Sequence, residues 1–278
     1  MRKLGLIAGG GDLPIGLARH CEQTGRPFFV LRIKGFATSE LERFDGVAIG
    51  LAELGRGIRA LREAACEAVC FAGRVDRPNL ATLKPDARGL LALPGAIQAA
   101  SHGDGALLNF LLRQFEAEGF AVEGAHEVRG DLVLPDGPLG RREPAVGHAG
   151  DIGRAIEAAR AVGRLDAGQG AVCCGGLILA LEAQEGTDAM LERVALLRPE
   201  IRGSRDARRG VLAKVCKPDQ ETRVDMPTIG PSTVRHAADA GLAGIVGETG
   251  RLLVLARDET VALADELGLF VCGVSEPL

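Results

Sequence analysis

The sequence predicts an α/β protein of two parts, a Rossmann-like N-terminal domain with a parallel sheet and a distinct mixed α/β C-terminal domain. Three observations predict it. Up to residue 72, short apolar runs alternate with amphipathic stretches, the pattern of buried parallel strands flanked by helices. Pro135, Pro138 and Pro144 then interrupt 124–148, which reads as the inter-domain connection. Beyond it, strands and helices follow in an order that does not repeat the first half. The expected domains are 1–130 and 149–278, joined by a linker at 131–148.

Residues 4–8 form the first expected strand, followed through Gly9-Gly10-Gly11 by a helix over 13–22 with Gly25 past its end. Strands at 27–33 and 46–51, a helix at 54–66 and a strand at 68–72 come next. A helix over 105–118 gathers Leu107, Leu108, Leu111, Leu112 and Phe115 on one wide apolar face. The second domain opens with a helix at 152–162, a strand pair at 171–181, a helix at 188–197 and a strand at 210–217. Pro231, a residue suited to a first helical turn, starts a helix that stops before Gly241. Strands at 243–246 and 252–255, a helix at 258–267 and a strand at 269–274 complete the chain.

Composition narrows the function. The 278 residues carry a net charge of −4 and no basic stripe, so no nucleic-acid partner is expected. Trp and Tyr are absent, which removes the usual stacking platforms of single-strand binders. The first apolar run breaks at Gly9, short of the roughly 7–15 residues of a secretory core. The run over 170–181 falls short of the roughly 18–20 residues that a membrane span needs. Seven cysteines without C-x-x-C spacing suggest buried, reduced thiols in a cytoplasmic protein.

Gly9, Gly10 and Gly11 lie where a strand gives way to a helix, so their N–H groups can approach an anion, aided by the helix dipole. A tight turn with Asp12 as helix cap is the plainer alternative. The dinucleotide fingerprint is incomplete, because Pro14 stands at the third glycine and no acid ends the second strand. Lys34 there could meet a 2′-phosphate, which keeps an NADP-dependent oxidoreductase as an alternative. Gly73-Arg74-Val75-Asp76-Arg77 leaves the carboxyl edge of a central strand, where open α/β sheets bind ligands. Asp104 is either the cap of the following helix or a ligand-facing carboxylate.

In the second half, Glu185, Thr187 and Asp188 cluster at a helix start, where Thr187 can cap and Asp188 can favour the dipole. Residues 212–231 are denser: Lys214 and Lys217 lie at the end of the expected strand, and Gln220, Glu221, Arg223 and Asp225 follow in a long loop closed by Pro227 and Pro231, with Thr228 between those prolines. Cations there suit phosphate oxygens, and a carboxylate between them suits a divalent cation or an attacking water. A solvated loop of neutralising charges is the alternative.

"GLIAGGGDLP", "AGRV", "GDG", "EGTDAM" and "KPDQETRVDMPTIGP", in this order, resemble the LpxI family, the UDP-2,3-diacylglucosamine pyrophosphatases of lipid A biosynthesis. The resemblance spans nearly the whole chain. It implies Mg²⁺-dependent hydrolysis of UDP-2,3-diacylglucosamine to UMP and 2,3-diacylglucosamine 1-phosphate, with water attacking the sugar-side phosphorus and the substrate held between two domains. It also implies work at the cytoplasmic face of the inner membrane, peripherally bound, with a homodimer as one assembly it allows. On that footing Asp225 is expected to hold Mg²⁺ or orient the water. Lys214, Lys217 and Arg223 neutralise phosphate oxygens. Gly9, Gly10, Gly11, Asp12, Gly73, Arg74, Asp104, Thr187, Asp188, Gln220 and Thr228 line the substrate. A non-catalytic nucleotide-sugar binding protein is the other alternative.

Overall fold

A computed structural model of the chain describes residues 1–76, 82–218 and 220–275, so Arg77 lies outside the described residues, as does the side chain of Asp104. The chain divides into two compact units. One comprises residues 1–130 with 221–225; the other comprises 131–220 with 226–278.

The first unit is built on five parallel strands: β1 (Leu4–Ala8), β2 (Phe28–Ile33), β3 (Gly46–Ile49), β4 (Ala68–Ala72) and β5 (Ala121–Val122). Their order is β3-β2-β1-β4-β5, that of doubly wound sheets, with Leu6 level with Val30 and Cys70. Successive side chains on a strand point to opposite faces. Ile7, Leu31, Ile49 and Val69 therefore share one face, packed with Ile58 and Leu61 of α2 (Leu54–Glu63). The other face meets α1 (Asp12–Thr24), which buries Leu17, Ala18 and Cys21. The helix expected over 54–66 stops earlier, because Ala65 turns left-handed at φ +54°.

The longest helix that escaped the sequence reading lies between β4 and β5. α3 (Ala87–Ala100) contains Pro94, which removes an internal hydrogen bond, and Gly89 and Gly95, which weaken helical propensity. It forms because Asp86 caps it, accepting from the Gly89 N–H at 2.8 Å, and because Gly95 lets the Phe110 ring come close. That ring belongs to α4 (Asp104–Glu116), whose face is less deeply buried than its pattern suggests. Leu112 and Phe115 join the core, whereas Leu107, Leu108 and Leu111 stay half-buried beside α3.

A short helix, α5 (Ala125–Val128), ends this unit's first segment. The proline-rich stretch expected as a linker is instead built into the second unit. Leu134 is fully buried in that unit's core, and β6 (Gly137–Pro138) pairs antiparallel with the last strand. Pro138 is tolerated there because β6 is the sheet's edge.

The second unit's sheet adds β7 (Gly170–Cys174), β8 (Leu177–Leu181), β9 (Val211–Lys214), β11 (Gly244–Glu248) and β13 (Phe270–Val274), in the order β6-β13-β11-β9-β7-β8. β9, β11 and β13 run parallel, while β7 runs against both neighbours. The period of two divides its residues cleanly. Ala171, Cys173, Val211, Ala213, Val246 and Phe270 pack with α6 (Ala149–Arg164), while Val172, Leu212, Ile245 and Val271 face the opposite core. That core holds α7 (Gly186–Ala195), α9 (Pro231–Asp239) and α10 (Arg257–Leu267), with the four-residue α8 (Pro199–Arg202) between α7 and β9. The strand expected at 252–255 is β12 (Leu253–Val254), and it pairs with β10 (Thr228–Ile229) in a separate two-stranded sheet, with Leu253 also bridging Val133.

All seven cysteines are free and buried. No helix among the described residues is long and apolar enough to cross a membrane.

Candidate active site

β9 alternates, so Lys214 shares the face of Leu212, the one covered by α7. Its side chain is consequently buried at 4 % exposure. The ammonium donates to Thr187 Oγ1 at 2.6 Å and to the Thr228 carbonyl at 3.1 Å. The Thr187 hydroxyl in turn donates to Glu182 Oε1 at 3.1 Å. Thr187 is thus no helix cap: Glu185 holds that position, and no side chain caps α7. Thr228 contributes its carbonyl to this network. A buried cation persists only when hydrogen-bonded and electrostatically compensated, and the carboxylate of Glu182 lies one hydroxyl away in this network.

Glu182 is the residue that the sequence reading missed. It follows the apolar β8 and lies five positions before Thr187, with 7 % exposure. A lone acid at the end of an apolar strand was the available signal. Its Oε2 is buried without a hydrogen-bond partner.

Lys217 and Gln220 form a second, separate grouping. The Gln220 side chain accepts from the Lys217 N–H at 2.8 Å, and the Lys217 ammonium pairs with Asp166 at 2.6 Å. β9 has ended by then, so Lys217 does not join Lys214. Asp188 ties α7 to α9, accepting from the Ser232 hydroxyl at 2.8 Å with the His236 ring 3.7 Å away.

In the first unit, the glycine turn is packed against the chain leaving β4. The Gly9 N–H donates to the Ala72 carbonyl and the Gly10 N–H to the Arg74 carbonyl, both at 2.8 Å. Two of the three amides expected for an anion are therefore engaged by backbone. A Cβ at Gly9 would sit 2.6 Å from the Arg74 carbonyl oxygen, and one at Gly73 2.5 Å from that of Gly10. The glycines at 9 and 73 exist for this close approach, and Gly11 for its φ of +86°. Gly11, not Asp12, is the cap position of α1, and no side chain caps it; Asp12 is exposed in the first turn. Arg74 is exposed and paired with Asp76 at 2.6 Å. Lys34 faces Glu53 at 3.8 Å, which opposes a second anion there. Asp104 is the first residue of α4, with Gly103 at the cap position.

Residues 221–225 also belong to this unit. Val224 packs against the core that contains Phe115 and Phe120. Arg223 is held between two carboxylates, Glu221 at 2.8 Å and Glu116 at 2.9 Å. Hydrogen bonding to Glu221 raises the guanidinium pKa above its ordinary value, and the same bond draws the Glu221 carboxyl below its own. Arg223 is thus already neutralised within its unit. The neighbouring Asp225 is half-buried, and its carboxylate has no hydrogen bond or ion pair among the described residues. The fold therefore gathers Lys214, Thr187 and Thr228 around Glu182, gives Arg223 its own carboxylates, and leaves the Asp225 carboxylate available to a ligand.

Known proteins match this organisation across both units. The profile of the LpxI N-terminal domain matches residues 3–132 and that of the LpxI C-terminal domain residues 135–272. The UDP-2,3-diacylglucosamine pyrophosphatase LpxI of Caulobacter vibrioides is 60% identical over 274 residues, covering 99% of this chain and 98% of the relative. Both domain profiles and a full-length relative at this identity agree: the chain belongs to the LpxI family.

Proposed function

We propose that the protein hydrolyses the diphosphate of UDP-2,3-diacylglucosamine, releasing UMP and 2,3-diacylglucosamine 1-phosphate. The observation that carries this reading is the 60% identity to a relative of that name over 99% of the chain. The side-chain chemistry supports it. Two adjoining anionic phosphates repel a nucleophile, so the reaction needs fixed positive charge, an oriented water and a stabilised leaving group. Lys214, rigid on its Thr187 and Thr228 acceptors, supplies a fixed cation without reorganisation. Asp225, with an unengaged carboxylate, is assigned to the water or to Mg²⁺.

The donor set suits Mg²⁺ used in this way. Among the described residues no three His, Cys, Asp or Glu side chains gather as a metal cage. Mg²⁺ ordinarily takes one or two carboxylates together with substrate phosphates, and a single Asp225 meets that need. When bound, the ion would neutralise charge developing on the phosphate oxygens. Asp225 positions a water, and Lys214 holds its charge in place. We assign the protein to the cytoplasmic side of the inner membrane, bound peripherally.

Incubating purified protein with UDP-2,3-diacylglucosamine, with and without Mg²⁺, tests the reading. UMP should appear only when the metal is present. In ¹⁸O-labelled water, the label should enter the lipid phosphate if attack falls on the sugar side. Intact substrate after prolonged incubation with Mg²⁺ would refute the assignment.

A further inference from the structure

α3 wears its amphipathic pattern inside out. Placing its residues at 100° intervals puts Leu90, Leu91, Pro94 and Ile97 within about one third of the circumference. That side faces solvent: Leu91 is 84 % exposed, Leu90 60 % and Ile97 48 %. The opposite side carries mainly small residues, with Gly89 and Ala100 buried and Gly95 against the Phe110 ring. Ordinary surface helices turn large apolar residues inward and polar ones outward. Here three of the four large apolar side chains point out, in a helix whose only outward polar residue is Gln98. Single exposed leucines need no explanation, but a continuous stripe at helical spacing does.

The foot of this stripe is basic. Ala87, in the first turn of α3, also lines a cavity of about 340 Å³ shared with Arg59, Arg62 and Arg88. Arg62 and Arg88 both pair with one carboxylate, Glu118, so their remaining N–H donors are not matched by acid. Arg59 is exposed and has no carboxylate partner among the described residues. The Asp86 oxygens, also in the cavity, accept from the backbone N–H groups of Gly89 and Arg56, each at 2.8 Å. In a chain of net charge −4, this end of α3 is locally cationic.

We propose that α3 and the arginine cavity at its foot form the face by which the protein docks on an anionic phospholipid bilayer. The stripe enters the boundary between headgroups and acyl chains, and the guanidinium groups take lipid phosphates. Apolar residues along one helix side with cations beside them are what interfacial binding requires, and arginine forks match phosphate oxygens. A second copy of the chain fits less well. One helix of 14 residues is about 21 Å long. It offers far less than the roughly 800 Å² per partner of a stable protein interface. The proposal rests on the reading that the substrate is a membrane-held diacyl lipid, and it names the surface that brings the enzyme to it.

Sedimentation of the full-length protein with vesicles tests this. Wild type should partition onto phosphatidylglycerol-containing vesicles and hardly onto pure phosphatidylcholine. A double variant, Leu90→Ser with Leu91→Ser, and separately Arg59→Glu, should each lower that partitioning by about tenfold or more. These positions are exposed, so circular dichroism should be unchanged. Turnover of detergent-dispersed UDP-2,3-diacylglucosamine should also be unchanged. Wild type that ignores anionic vesicles, or variants that bind them as wild type does, would overturn the docking face. So would a double variant that dissolves an oligomer while still binding vesicles, since a second copy would then cover the stripe. If the variants lose vesicle binding and wild type releases no UMP in detergent, the docking face stands and the proposed reaction fails.

Discussion

The ammonium of Lys214 lies 2.6 Å from the hydroxyl of Thr187, which itself donates to Glu182 at 3.1 Å. Cation, hydroxyl and carboxylate thus form a relay, buried at its Lys214 and Glu182 ends, in which Thr187 both accepts and donates. Its orientation is fixed from both sides, so the ammonium is preorganised.

Lys214→Met should lower kcat by roughly 10²–10³-fold with a smaller change in KM, the loss typical of one removed electrostatic donor. Glu182 reaches Lys214 through Thr187. Glu182→Gln should therefore retain more activity than Glu182→Ala, because the amide oxygen can still accept from the hydroxyl. Steady-state kinetics on both variants checks this; equal losses would show that Glu182 does not position Thr187.

Asp225→Asn should abolish most turnover, roughly 10²–10⁴-fold, while leaving thermal unfolding nearly unchanged. The carboxylate has no protein partner among the described residues, so folding loses nothing when its charge goes. Near-normal UMP release from this variant would move the catalytic carboxylate elsewhere.

Gly73 and Gly11 separate packing from backbone strain. Both have positive φ, +89° and +86°, but a Cβ at Gly73 would meet the Gly10 carbonyl whereas one at Gly11 meets nothing within 4 Å. Gly11→Ala should cost about 1 kcal/mol and Gly73→Ala more, toward the roughly 3 kcal/mol end of backbone strain with a clash added. Urea unfolding of the two variants measures the difference.

The buried thiols should be inert in the native state. Burial pushes the Cys173 thiol up to about 12, assisted by the neighbouring Asp151 carboxylate, so little thiolate exists near neutrality. A thiol reagent should titrate almost none of the seven cysteines in native protein and all seven after denaturation. Rapid modification of the native enzyme would contradict the packing of β7.

Arg223 and Glu221 make a pH-dependent contribution with a definite sign. The folded Glu221 carboxyl is drawn below its ordinary value, chiefly by its hydrogen bond to Arg223. Stability from the pair is therefore present above the unfolded carboxyl pKa of about 4.3 and disappears as pH falls through the lower, folded value. Arg223→Met should be less stable than wild type by up to about 1 kcal/mol at neutral pH, the pair being partly exposed, and the gap should close in acid. Melting curves of both proteins across the acidic range test the sign.

Strands were the most legible part of the sequence, because those buried on both faces appear as unbroken apolar runs, as 4–8 and 68–72 do. α3 was illegible for a physical reason: its large apolar residues face outward and a proline interrupts it, so neither periodicity nor propensity marks a core helix. The site was half legible. Asp225 stood out as a charge in a proline-closed loop and Lys214 as one at a strand end, where strand alternation buries it. Glu182 offered only a lone acid after an apolar strand, because its place beside Thr187 depends on where β8 ends relative to α7. The glycines at 9–11 invited a phosphate reading since local sequence does not reveal that β4's continuation already occupies two of their amides.

Residues 221–225 lie with the first unit although the chain on either side of them lies with the second. Neither half can thus be cut out as a single continuous piece. A protein split after residue 130 leaves its leading fragment with a notch where Val224 belongs and no partner for Glu116. The trailing fragment carries the aspartate on a strand of chain with nowhere to lie. Covalent continuity through that short detour is what brings a segment of later sequence into the first unit's core.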